Sequence, residues 1–162
     1  MLWHLNYEIN KEYYRDLFYH HVHKGKWHWT CKKQQRLYWF QLLCGREQDG
    51  FLREEIRSVE EALGILGMDT YPRFNYQVPN TRLLPHIDED EIIAININLL
   101  DTTPTIKIED KSYSYECALI DVGHRVHEVI PDPNERLILK FAIRNQSYND
   151  VYDRVLKFLE KA

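Results

Sequence analysis

Residues 84–88 read Leu-Pro-His-Ile-Asp, and this short stretch decides what the rest of the chain must form. His86 and Asp88 stand two positions apart, on a predicted strand that follows the turn-forming pair Pro79-Asn80. In a strand, side chains two positions apart point to the same face of the sheet. The spacing therefore predicts an imidazole and a carboxylate that project side by side.

A second histidine on another predicted strand would complete this arrangement. His127 follows His86 by 41 positions, and Arg136 opens the next strand after the turn signal Pro131-Asp-Pro-Asn. Two imidazoles and one carboxylate on one face leave open positions on Fe(II), as in non-haem iron oxygenases. An arginine across a hairpin from His127 would face the same cavity and can hold a carboxylate through two parallel hydrogen bonds.

Two of these assignments have alternatives. His124 competes with His127, but the two lie three positions apart and so face opposite ways on a regular strand. The alternating pattern around His127 favours that residue. Lys140 has the same parity as Arg136 on the last predicted strand. It is either a second partner for the carboxylate that Arg136 would hold or a surface lysine whose stem lies along the sheet.

The first part of the chain is predicted to be mostly helical. Asn10 is a candidate cap for a helix that runs to about His23. Apolar residues spaced four and three apart predict a second helix over 51–66, ended by Gly67. The pattern over 26–46 does not distinguish a strand from a helix.

From Tyr71 onward apolar and polar residues alternate, which is typical of strands with one buried face. About seven short strands separated by turn residues are predicted over 71–146. Asn149 is a candidate cap for a closing helix that runs to Leu159.

This order of elements indicates a single domain over 1–162, with mainly β structure and flanking helices. Residues 1–70 would form the helical support, 71–146 a small β-sandwich or barrel that carries the metal site, and 147–162 a C-terminal helix.

Composition limits the class of protein. A chain of 162 residues that is 44% hydrophobic can form the core of one domain. It has no apolar run near the roughly 18 residues of a membrane span, and its start lacks the pattern of a signal peptide. Cys31, Cys44 and Cys117 are widely spaced, which favours a reduced, cytoplasmic protein over a disulfide framework. We expect no membrane partner.

Residues 17–46 differ from the rest of the chain in charge. They contain six Lys and Arg and no Asp or Glu, whereas the whole chain has a net charge of −4. All four tryptophans lie within 1–39. Such a segment suits an anionic partner such as single-stranded nucleic acid, although a basic face with its aromatics in the core is favoured.

His20 and His23 share a helix face, and a plain helix end is favoured there over a second metal site.

The segment from Arg73 to Asp88 reads Arg-Phe-Asn-Tyr-Gln-Val-Pro-Asn-Thr-Arg-Leu-Leu-Pro-His-Ile-Asp, and His127-Glu-Val and Arg136-Leu-Ile-Leu follow it. This pattern resembles the 2-oxoglutarate/Fe(II)-dependent oxygenase superfamily, and most of all its aspartyl/asparaginyl β-hydroxylase-like branch. The resemblance covers 71–144, about half of the chain. It implies a double-stranded β-helix (jelly-roll) core. It further implies that His86, Asp88 and His127 bind Fe(II) and that Arg136 binds the distal carboxylate of 2-oxoglutarate.

The resemblance also implies a reaction. With O2, 2-oxoglutarate would be decarboxylated to succinate, and a C–H bond of an amino-acid side chain or a small metabolite would be hydroxylated. No catalytic residue beyond the metal ligands is expected, since metal and co-substrate supply the chemistry. Two other classes stay open. One is a non-catalytic jelly-roll that binds nucleic acid or another partner through 17–46. The other is a cupin-like metalloprotein that uses another metal and no 2-oxoglutarate.

Further candidates for the cavity are polar residues among apolar neighbours on the predicted strands. They are Asn75, Tyr76, Asn96 and Asn98, each a candidate contact for the co-substrate. Asn75 and Tyr76 are adjacent, so both cannot face inward on one strand. The acidic residues at 89–91 are predicted to form a solvated loop.

Overall fold

Two antiparallel sheets face each other, and three helices pack on the outer face of the larger sheet. The computed structural model describes residues 2–22, 28–29, 39–44, 50–88 and 93–160. Its helices are α1 (Lys11–Val22), α2 (Gly50–Leu63) and α3 (Tyr148–Glu160). Its strands are β1 (Leu2–His4), β2 (His28–Trp29), β3 (Trp39–Leu43), β4 (Asp69–Gln77), β5 (Leu83–His86), β6 (Ile93–Asn98), β7 (Thr105–Ile108), β8 (Lys111–Ser114), β9 (Cys117–Ile120), β10 (His127–Val129) and β11 (Arg136–Arg144).

The larger sheet has the order β1-β9-β6-β11-β4-β3-β2 and the smaller sheet the order β5-β10-β7-β8. The mainly β class with a few helices, expected from the sequence, is therefore confirmed. The expectation that 1–70 are mostly helical is wrong in one respect, because β1 forms one edge of the larger sheet, β2 forms the other, and β3 lies next to β2. Short apolar segments take strand geometry when a neighbouring strand offers a ladder, and β3 pairs with β4 along five residues.

The main apolar core lies between the helices and the outer face of the larger sheet. The helices contribute Tyr14, Leu17 and Phe18 from α1, Ile56, Val59 and Leu63 from α2, and Val151 and Val155 from α3. The central strands contribute every second residue, because side chains alternate across a sheet. In β11 the core residues are Leu137, Leu139, Phe141 and Ile143. The residues between them face the smaller sheet.

The helix ends agree with the sequence at one of three places. The backbone N–H of Tyr13 donates to Asn10 Oδ1 at 3.1 Å, so Asn10 caps α1 as predicted. Helix α2 ends earlier than predicted, because Gly64 takes the left-handed conformation with φ of 75°. Helix α3 is capped by the hydroxyl of Ser147 rather than by Asn149.

Two predictions about the strands near the site are also wrong. Strand β5 ends at His86, so Asp88 lies beyond the strand, and its backbone N–H donates to the carbonyl of Val122 at 3.0 Å. Strands β10 and β11 are not hairpin partners. The turn over 131–134 carries the chain from the smaller sheet to the larger one.

Most of the basic segment 17–46 lies outside the described residues, as do 89–92. The predictions of an anionic partner surface, of a helix end at about His23 and of a solvated loop at 89–91 therefore stay predictions. Among the helices of the described ranges, none combines the length and apolar character that a membrane crossing requires.

Candidate metal centre

A cavity of about 120 Å³ lies between the two sheets. Strands β5 and β10 bound it on one side, and β4, β6 and β11 bound it on the other. The cavity brings together most of the site residues predicted from the sequence. These are Asn75, His86, Asp88, Asn96, His127, Arg136 and Lys140.

His86, Asp88 and His127 form a compact group at this cavity. His86 and His127 are register partners in the smaller sheet, and their ring centres lie 4.3 Å apart. Oδ1 of Asp88 lies 3.1 Å from Nε2 of His86 and 3.7 Å from Nε2 of His127. Ligand atoms at right angles around one octahedral ion, each about 2.1 Å from it, lie about 3.0 Å apart. The spacing of these three side chains is therefore suitable for a single metal ion.

Both imidazoles are oriented by backbone carbonyls. Nδ1 of His86 lies 2.7 Å from the carbonyl oxygen of Leu84, and Nδ1 of His127 lies 3.1 Å from that of Arg125. A carbonyl oxygen only accepts, so each Nδ1 carries the hydrogen. In the neutral rings the lone pairs are then on Nε2, the atom that faces Asp88, and only the protonated ring of His86 donates from Nε2 to this carboxylate.

Asp88 is held as an anion. Burial alone would raise the pKa of its carboxyl group, but the ammonium of Lys140 and the hydrogen bond with His86 act against burial, and the pKa falls well below its usual range. Nζ of Lys140 lies 3.2 Å from Oδ2, the oxygen that does not face the histidines.

The pKa values of the two histidines are shifted in opposite directions. Burial lowers the pKa of His127 and outweighs the attraction of Asp88. Burial also acts to lower the pKa of His86, but the hydrogen bonds with Asp88 and with the Leu84 carbonyl reverse this effect and raise the pKa. A metal ion would therefore compete with a proton more strongly at His86 than at His127.

Arg136 lies four residues from Lys140 along β11, so their Cα atoms are about 13 Å apart. The side chain is buried, with 8% of its surface exposed. Nη2 of Arg136 donates to the hydroxyl of Tyr115 at 3.4 Å, and Nη1 is buried with no hydrogen-bond partner among the residues that the structure describes. A buried guanidinium N–H without an acceptor is costly, which indicates that an anionic group belongs beside it.

Asn75 and Asn96 line the cavity, and Tyr76 and Asn98 do not. The hydroxyl of Tyr76 donates to Glu135 at 2.7 Å, and its ring stacks on Phe18 on the helix side of the sheet. Adjacent residues of a strand point to opposite faces of the sheet, so Tyr76 points to the helix side because Asn75 points into the cavity. The amide of Asn98 donates to carbonyl oxygens just after β6, at 2.9 Å to Leu100, and so holds a loop.

His124 is exposed, and its Nδ1 lies 2.8 Å from Oδ1 of Asp121. The structure does not bring it to the cavity. Sequence reasoning missed Tyr115, whose hydroxyl accepts from the amide of Asn96 at 3.3 Å as well as from Arg136. Tyr115 lies between β8 and β9, where the chain passes from the smaller sheet to the larger one, so the local sequence pattern did not show that its side chain enters the cavity.

No protein-family model and no curated protein matches the sequence. The fold is similar to several solved structures. A Pseudomonas putida prolyl-4-hydroxylase superposes with a TM-score of 0.58 over 79% of this chain and 82% of that one, at 15% identity. A Trichoplax adhaerens prolyl hydroxylase, in complex with a hypoxia inducible factor oxygen degradation domain peptide fragment, superposes with a TM-score of 0.61 over 88% and 82%, at 10% identity.

A third structure is the viral collagen prolyl hydroxylase of Paramecium Bursaria Chlorella virus-1 with 2-oxoglutarate bound. It superposes with a TM-score of 0.53 over 86% of this chain and 92% of that one, at 11% identity. At these identities the likeness shows the fold. The chain therefore has the fold found in these 2-oxoglutarate- and Fe(II)-dependent oxygenases.

Proposed function

We propose that the protein is an Fe(II)- and 2-oxoglutarate-dependent dioxygenase that hydroxylates a C–H bond. The observation that carries the proposal is one cavity that contains both a metal-ligand set and a buried guanidinium, one N–H group of which has no acceptor among the described residues. His86, Asp88 and His127 turn three donor atoms toward one point, and Arg136 leaves a buried N–H without an acceptor among the described residues.

The donor set by itself does not select iron. Two histidines and one carboxylate also bind zinc in hydrolytic enzymes. The buried guanidinium of Arg136 favours the oxygenase, because it can bind a carboxylate in the same cavity as the metal ligands. A dicarboxylate that chelates the ion at one end and meets Arg136 at the other would use both features.

The polar residues of the cavity would then hold either the co-substrate or the substrate. Arg136 would bind the distal carboxylate, and the Tyr115 hydroxyl lies beside it to share that contact. Asn75 and Asn96 each leave a buried side-chain oxygen without a partner in the described part of the cavity. These oxygens accept hydrogen bonds, so they suit a hydroxyl or amide group of the substrate or an ordered water. When bound, the iron and 2-oxoglutarate supply the oxidation by O2, while the protein positions the C–H bond and excludes water.

The strand order supports the jelly-roll assignment. Of the eight strands from β4 to β11, β4, β6, β9 and β11 lie in the larger sheet and β5, β7, β8 and β10 in the smaller one. The chain thus passes repeatedly between the two sheets, as expected for a double-stranded β-helix. In this arrangement the two histidines come from the smaller sheet, Asp88 from the segment that follows β5, and the cations from the larger sheet.

The class of substrate is inferred from one structural neighbour. A polypeptide side chain is favoured over a free small metabolite, because one of the neighbours is described with a peptide fragment bound.

An anaerobic titration tests the proposal. Protein with Fe(II) and 2-oxoglutarate should develop the weak visible charge-transfer band of the chelated ion, and the His127→Ala variant should lose it. His124→Ala is the matched control, since His124 is exposed and hydrogen-bonded to Asp121 away from the cavity. Absence of the band in folded wild-type protein, or its persistence in His127→Ala, would contradict the proposal.

A further inference from the structure

Lys140 is a costly residue at its position. It lies in the middle of β11, and only 7% of its surface is exposed. Its register partner on β4 is Arg73, another cation that lines the cavity, and its partner on β6 is Asn96. Like charges opposite each other on neighbouring strands destabilise a sheet. An apolar residue here would cost less, so the ammonium needs a functional explanation.

The contact between Lys140 and Asp88 separates the two oxygens of the carboxylate. Oδ1 faces both imidazoles, at 3.1 Å from His86 and 3.7 Å from His127. Oδ2 accepts from the Lys140 ammonium at 3.2 Å. A carboxylate can bind a metal ion through one oxygen or through both. The hydrogen bond from Lys140 keeps Oδ2 turned away from the place where the ion would bind.

We infer that Lys140 is a positioning residue that restricts Asp88 to coordination through Oδ1 alone. The inference rests on the proposed function, since it requires a metal ion held by His86, Asp88 and His127. With three protein donor atoms, about three positions of an octahedral ion stay open for small molecules. If Oδ2 also bound the ion, about two would stay open. A chelating co-substrate and O2 together need three.

Mn(II) is a suitable probe, because it takes octahedral sites and relaxes the protons of the water molecules bound to it. The experiment measures the water-proton relaxation of the Mn(II)–protein complex without co-substrate. In Lys140→Met the number of exchangeable waters should fall from about three to about two, so the relaxation enhancement per bound ion should drop by about a third. Lys140→Arg should restore the wild-type value, since a guanidinium also donates to Oδ2.

Lys107→Met is the matched control. Lys107 also forms an ion pair with a carboxylate, at 3.1 Å to Glu128, but it lies outside the cavity. The control should keep the wild-type relaxation. A merely structural role for Lys140 would change stability and leave the number of waters per bound ion the same.

The outcomes separate the two proposals. Equal relaxation in wild type and Lys140→Met, with Mn(II) binding lost in His127→Ala, would overturn the role of Lys140 and leave the metal site standing. Equal Mn(II) binding in wild type and His127→Ala would overturn both. If circular dichroism shows that Lys140→Met does not fold, Lys140→Gln, which has neither the charge nor the length of lysine, takes its place with the same expectation.

Discussion

The two faces of the larger sheet are about equally buried and carry opposite chemistry. On the helix side, Leu139 and Phe141 are fully buried among apolar neighbours. On the side of the smaller sheet, the same strand presents Arg136 and Lys140, which are nearly as well buried. Burial alone therefore does not distinguish the core from the candidate site. The polarity of the buried residues does.

The space between the sheets is itself divided. Around β1, β6 and β9 it is filled by an apolar cluster that includes Ala94, Ile106, Ala118 and Ile120. Around β4 and β11 it is polar and holds the cavity. Since the chain closes one part of this space with ordinary apolar packing, the polar part is not a requirement of the fold. Its polar groups cost stability to bury, which is the reason to assign them a function.

The largest expected effect is on stability and should differ between the two faces. Leu139 and Ile138 are neighbours on β11 with side chains of equal size on opposite faces. Leu139→Ala should destabilise the protein by about 3–5 kcal/mol, because it leaves a cavity in a closed core. Ile138→Ala should cost only about 2 kcal/mol, since its side chain already borders a cavity. Denaturant unfolding measures both. Equal losses of unfolding free energy in the two variants would contradict the expected difference between the two faces of the sheet.

The next effect is on ligand binding and should appear only on the cavity face. Arg136→Met should weaken 2-oxoglutarate binding by about 10–100-fold, the equivalent of about 1.5–3 kcal/mol for a charge-assisted hydrogen bond. Its unfolding free energy should stay unchanged or rise, because a buried N–H without a partner is removed.

Arg136→Lys should raise the apparent KM for 2-oxoglutarate, since a point charge replaces a planar fork.

The control for Arg136 is Arg144→Met at the other end of β11. The guanidinium of Arg144 lies 4.0 Å from the centre of the Tyr71 ring, outside the cavity. This variant should bind 2-oxoglutarate as the wild type does. Unchanged co-substrate binding in Arg136→Met would contradict the proposal that Arg136 binds 2-oxoglutarate.

The effect that is smallest near neutral pH is a pH dependence of the stability of the helix face. Burial raises the pKa of Cys117 from 9.0 to about 12. Between these values the unfolded chain loses the thiol proton and the folded protein keeps it, so stability falls as pH rises above about 9. The slope is about 1.4 kcal/mol per pH unit for this thiol. Unfolding measured from pH 8 to 11 should show the slope. In Cys117→Ala the slope should be shallower by this amount but not absent, because burial also raises the pKa of Cys44. The same slope in Cys117→Ala would assign it to another group.

Local patterns predicted the strands well and the connections between them poorly. Alternation placed most of the later strands, and parity correctly set Asn75 against Tyr76. It did not show that the turn over 131–134 changes sheets, because a turn looks the same whichever sheet follows. His127 and Arg136 still face one cavity, from opposite sides. The edge strands of the N-terminal part depend on pairing with distant strands, which no local pattern records.

The superfamily fold suggested by the motif is supported by the structural neighbours, whereas the aspartyl/asparaginyl branch stays a prediction. The roles of His86, Asp88, His127 and Arg136 stay proposals. Tyr115 was beyond sequence reasoning, because its place beside Arg136 depends on how two sheets pack. The contact of Lys140 with Asp88 depends on the loop after β5, which leaves the regular strand geometry that the spacing argument assumed.

The backbone carbonyls that orient the two imidazoles have an evolutionary consequence. Every residue type carries a backbone carbonyl, so the orientation of His86 and His127 does not depend on the side chains of Leu84 and Arg125. Substitutions at these two positions are therefore neutral for ligand geometry. The outer surface beside the centre can diverge among descendants of this chain, and acquire different partners, while the centre itself is inherited intact.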